Sequence, residues 1–88
     1  MERRTTKPEY IKPILDALHR LGSSSEEKLL EQMYLDIENR LHAADHMILP
    51  NGEPRWRYQA QHMLDGLIES GLIIKKDGIL WLNENQRT

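Results

Sequence analysis

The stretch that most constrains this chain is Pro54 to Leu82, where a helical pattern runs into a tight hairpin. From Arg55 onward, Trp56, Ala60, Met63, Leu64, Leu67 and Ile68 recur at three- and four-residue spacing, which puts them on one stripe of an α-helix. Arg57, Tyr58, Gln61, His62 and Asp65 fall on the opposite side. Gly71 ends the helix, because a residue without Cβ takes the left-handed C′ conformation at little cost. Beyond it, Leu72-Ile73-Ile74-Lys75-Lys76 and Ile79-Leu80-Trp81-Leu82 flank Asp77-Gly78, a pair suited to a type I′ turn. With those residues as the loop, Ile73 pairs with Leu82 and Lys75 with Leu80 on one side of the ribbon. Ile74 then pairs with Trp81 and Lys76 with Ile79 on the other.

Upstream, two further helical patterns supply the apolar surface that such a unit needs. Ile11, Ile14, Leu15, Leu18 and Leu21 define a first helix over Tyr10 to Leu21, with Thr6 and Glu9 as a capping box and Pro13 in the first turn. Gly22 ends it. Ser23-Ser24-Ser25 followed by Glu26 and Glu27 offers hydroxyl oxygens and carboxylates to the positive end of a second helix, which continues through Leu29, Leu30, Met33, Tyr34, Ile37 and Leu41. His42 to Gly52 is a long connection with a short helical turn at Ala43 to Met47. It contains the chain's metal-like spacing, His42 and His46 at i and i+4, but Ala43 stands where a metalloprotease motif has Glu, and no third ligand besides Asp45 is nearby. No metal or other cofactor is expected.

Three helices followed by a two-stranded C-terminal hairpin form the α+β plan of a small winged helix-turn-helix, with a basic arm at 1–7, the domain at 8–83 and a polar tail at 84–88. The run Leu49-Pro50-Asn51-Gly52, the helix end Glu69-Ser70-Gly71-Leu72 and the hairpin closing on Gly78 resemble the N-terminal winged-helix domain of Mrr-type restriction endonucleases, over about Tyr10 to Leu82. His62 stands near a position where that family usually has Trp, and Trp81 where it tends to be polar. The resemblance implies a DNA-binding domain in a restriction or mobile-element setting. The family's nuclease domain has no counterpart here, so no cleavage activity is implied.

Composition sets limits on function. The 88 residues make one domain with no cysteine, hence no disulfide framework or thiolate chemistry, as fits a reducing cytoplasm. No apolar run approaches the roughly 20 residues of a membrane span, so no membrane partner is expected. Nothing resembles a nucleophile with its base or a phosphate-cradling glycine loop, so neither catalysis nor a small-molecule substrate is expected. The formal net charge is -2, whereas nucleic-acid binders are usually basic. Its distribution is uneven: between Ser25 and Asp45 six carboxylates face two cations, net -4, which leaves net +2 for the rest.

Those remaining cations cluster at Arg3, Arg4, Lys7 and Lys12, at Arg55 and Arg57, and at Lys75 and Lys76. The expected function is therefore binding of double-stranded DNA. Arg57, Tyr58, Gln61 and His62 would meet base edges, since Arg pairs with guanine and Gln with adenine in the major groove. Arg55, Lys75, Lys76 and the Arg3-Arg4 arm would meet phosphates. A second reading is association between proteins. Both faces of the hairpin are apolar, and a small domain needs only one, so Ile74, Ile79 and Trp81 form an interface for a second copy or another protein unless Trp81 folds back over the first helix into the core.

Overall fold

The computed structural model describes residues 5–83; the expectations for Arg3, Arg4 and the tail at 84–88 lie outside the described residues. A 3-10 turn, Lys7–Tyr10, leads into α1 (Ile11–Leu21). There follow β1 (Ser23–Ser25), α2 (Glu26–Ile37), two further 3-10 turns at Glu38–Arg40 and Ala43–His46, α3 (Arg55–Glu69), β2 (Ile73–Lys76) and β3 (Ile79–Leu82).

Local chemistry accounts for most of these boundaries. The Glu9 carboxylate accepts the Thr6 N–H at 2.9 Å and the Thr6 hydroxyl at 2.8 Å, fixing the entry to α1. The Ser25 hydroxyl accepts from the Lys28 N–H at 3.3 Å and caps α2. α3 closes in a Schellman motif: Leu72 N–H donates to Leu67 C=O and Gly71 N–H to Ile68 C=O, both at 3.1 Å, with Gly71 at φ 88. The hairpin turn has Asp77 at φ 53 and Gly78 at φ 79, the two positive angles of a type I′ turn, and its register is the one expected from the loop.

Two features depart from the sequence reading. α2 stops at Ile37 rather than continuing to Leu41, and the chain tightens into the 3-10 turn at Glu38–Arg40. The hairpin is also not alone. Ser23, Ser24 and Ser25 pair antiparallel with Trp81, Leu80 and Ile79, making a three-stranded sheet in the order β1-β3-β2. A serine run carries no alternation and little strand propensity; the free edge of β3, with its unpaired N–H and C=O groups, recruits it.

The core lies between the helices and one face of this sheet. Tyr10, Ile14, Leu18, Leu29, Leu30, Met33, Leu64, Ile73 and Leu80 are all buried there. Each fully buried aliphatic side chain contributes roughly 1.5–3 kcal/mol. Tyr34 stacks on Trp56 with ring centroids 4.5 Å apart and closes the side of the core between α2 and α3. No helix among the described residues is long and apolar enough to cross a membrane.

Candidate nucleic-acid interface

Glu26, at the start of α2, joins the two elements on which the expected contacts lie. One of its oxygens, Oε1, accepts from Gln61 Nε2 of α3 at 2.7 Å, and the other takes the Lys75 ammonium of β2. Gln61 Nε2 donates a second bond, 3.0 Å long, to Asp65 Oδ1 one turn further along α3. The outward side of α3 and the hairpin therefore share one side of the domain. The ion pair with Lys75, then the bond from Gln61, hold the Glu26 carboxyl below the ordinary carboxylate range against the opposing effect of partial burial. Lys75 is correspondingly shifted up by the same carboxylate.

The other expected contact residues are distributed as follows. Arg57 is half-buried, its Nε 3.6 Å from Glu53 Oε1 one turn before it. An ion pair this exposed is worth a few tenths of a kcal/mol at most. Tyr58 and His62 are exposed and lie against each other, with ring centroids 5.4 Å apart. Lys76 is exposed beside the hairpin turn. Arg55 is turned partly into the domain: its Nε is buried with no hydrogen-bond partner, as is the Tyr10 hydroxyl. Only the remainder of the Arg55 guanidinium can reach outward.

The expected interface residues stand together on the far face of the sheet. Leu80 and Leu82 of β3 point to the core, so Trp81 and Ile79 point away from it, alongside Ile74 of β2. Trp81 is half-buried and is not part of the core cluster, so it does not fold back to close the core. Ile79 is 41% exposed and Leu72 40%.

Between α2 and α3 lies a polar clasp that the sequence did not announce. Asp45 is fully buried and accepts from Thr5 N–H at 2.8 Å, Thr5 Oγ1–H at 2.7 Å and His42 N–H at 2.8 Å. Burial alone would raise its pKa, but the bonds from His42 and Thr5 outweigh that and leave the carboxyl lowered. Tyr10 nearby is pushed up to about 12, first by burial and then by the Asp45 charge. The paired histidines, His42 and His46, belong to the same stretch. Residues Ala43–His46 form a 3-10 turn, in which positions four apart do not share a face. His46 instead sets its ring edge-on to Tyr34 at 6.2 Å. Among the described residues no group of three His, Cys, Asp or Glu could hold a metal ion.

No family model, curated protein or solved structure matches the chain. Function is therefore argued from this geometry and from the chemistry of the side chains. Glu26 was missed as a site residue because its two partners lie 35 and 49 positions away; from sequence it reads only as an acid at a helix start.

Proposed function

We propose that this winged helix binds double-stranded DNA without catalysis, α3 entering the major groove and the hairpin tip resting on the backbone. The observation that supports the reading is the bridge at Glu26, which ties Gln61 of α3 to Lys75 of β2, while Lys76 sits on the other face of the hairpin beside its turn. A helix presented by two others and flanked by a short hairpin can fill a groove and touch the strand beside it. Arg57 supplies the guanine-type contact, with Tyr58, Gln61 and His62 beside it, and Lys76 supplies the clearest phosphate contact. Lys75 is partly neutralised by Glu26, and Arg55 serves mainly to seat the start of α3. The likeness to Mrr-type N-terminal domains supports a role as a small cytoplasmic regulator of transcription, or as the targeting module of a restriction or mobile-element system. The test is fluorescence anisotropy with a labelled generic duplex at low salt: the parent should bind, and an Arg57→Ala/Lys76→Ala variant should bind at least tenfold more weakly. Equal binding by both would reject the surface.

A second reading has its own observation. On the far face of the sheet the exposed Ile79 stands beside the half-buried Ile74 and Trp81, and contiguous apolar patches mark association surfaces. In this reading the sheet face is a dimerisation or protein-partner surface, with or without DNA on α3.

A further inference from the structure

We infer that Gln61 reads an amino group on a base, adenine N6 or cytosine N4, and discriminates against a keto oxygen at that position. The inference rests on the DNA-binding reading and adds to it the class of base recognised.

The reasoning starts from the amide. A Gln carboxamide has two N–H donors and one carbonyl oxygen, whereas an ionised carboxylate can only accept. Gln61 Nε2 lies 2.7 Å from Glu26 Oε1 and 3.0 Å from Asp65 Oδ1. Both neighbours are carboxylates, so the nitrogen end of the amide must be the one facing them, and the usual ambiguity between amide nitrogen and oxygen does not arise. Both N–H groups are thereby engaged. The Lys75 ammonium on the other Glu26 oxygen keeps that carboxylate in place as an acceptor. What Gln61 has left to offer a ligand is the Oε1 carbonyl.

An unrestrained Gln recognises adenine with two bonds, donating to N7 and accepting from the N6 amino group. The restrained Gln61 makes only the second. Cytosine, whose N4 amino group is also a donor in the major groove, then serves as well as adenine. Guanine and thymine present O6 or O4 and would set oxygen against oxygen. Every base pair shows an amino group on one of its strands, so the restraint selects orientation: adenine or cytosine on the strand that Gln61 faces. The carboxylates of Glu26 and Asp65 beside it reinforce the preference, since they too only accept.

The experiment is selection of bound duplexes from a randomised pool by the parent, by Gln61→Ala and by Asp65→Ala. Asp65 is exposed on α3 and Ala is a good helix former, so the second variant should keep the fold. The position read by Gln61 is the one whose preference collapses in Gln61→Ala. There the parent should take adenine and cytosine within about threefold of each other and disfavour guanine and thymine by about tenfold, within the range of single base contacts. Asp65→Ala frees one N–H, so adenine should now exceed cytosine by about fivefold or more. Guanine or thymine preferred by the parent, no position that depends on Gln61, or an unchanged adenine-to-cytosine ratio in Asp65→Ala would each overturn the inference while leaving DNA binding intact. A parent that retains no duplex at low salt would overturn both.

Discussion

Asp45→Ala should be among the most damaging single substitutions in the domain, although the residue is polar and lies in a connection. The side chain is fully buried and takes three hydrogen bonds of 2.7 to 2.8 Å, two from Thr5 and one from the His42 backbone. Hydrogen bonds to a charged group contribute about 1.5–3 kcal/mol each, and the donors stranded by truncation keep their desolvation cost. Against this stands the expense of holding a carboxylate away from water, several kcal/mol before compensation. The balance is a loss of about 2–4 kcal/mol from a total that, for a domain this size, is on the order of 5–10 kcal/mol. In a thermal melt that is about 10–25 °C. The effect also has a pH signature. The folded-state pKa of Asp45 is below its ordinary value of 3.8, so its contribution is present above that pH and is lost as pH falls through the folded value. Urea unfolding of parent and variant at pH 7 and at pH 3 measures both effects. A destabilisation under 0.5 kcal/mol at pH 7, or one that stays as large at pH 3, would refute the reasoning.

Other substitutions probe the core, the sheet and the buried phenol. Leu80→Ala removes a fully buried side chain from the central strand and should cost about 2–5 kcal/mol by chemical denaturation; a cost near zero would mean that β3 does not face the core. Trp81→Glu should reduce the size of the protein in sedimentation if the far sheet face seats a second copy, and an unchanged size would remove that reading. Of the three tyrosines, one should ionise late in an alkaline absorbance titration, near pH 12, and Tyr10→Phe should abolish that late step. Because the folded-state value is raised, the stability linked to Tyr10 is intact below pH 10 and is lost as pH climbs toward 12; a titration that shows no late step would contradict its burial.

Much of the architecture was legible because local rules agree with one another along Pro54 to Leu82. The stripe Trp56, Ala60, Leu64 and Leu67 is buried, Gly71 takes the left-handed C′ position, and Asp77-Gly78 sets the strand register. What stayed hidden depends on contacts distant in sequence. The serine run at β1 is recruited by the edge of β3 and carries no pattern of its own. Asp45 reads as a loop acid until Thr5, 40 positions earlier, closes on it. The candidate surface was half legible. The spacing of Arg57, Tyr58, Gln61 and His62 marked one side of α3, but the pairing of Gln61 and Lys75 through Glu26 and the inward turn of Arg55 depend on tertiary neighbours.

Groove binding by α3 is tested most directly by the salt dependence of duplex affinity, since a protein that neutralises phosphates releases counterions in proportion to their number. Lys76 and the partial charges of Arg55 and Lys75 correspond to about one to three phosphate contacts, so log affinity against log salt should fall with a slope of about -1 to -3. Lys76→Ala should reduce that slope by about 1, whereas Arg57→Ala should weaken binding with little change in slope. A parent that binds no duplex at low salt, or whose affinity is indifferent to salt, would contradict DNA binding and direct attention to the Trp81 face of the sheet.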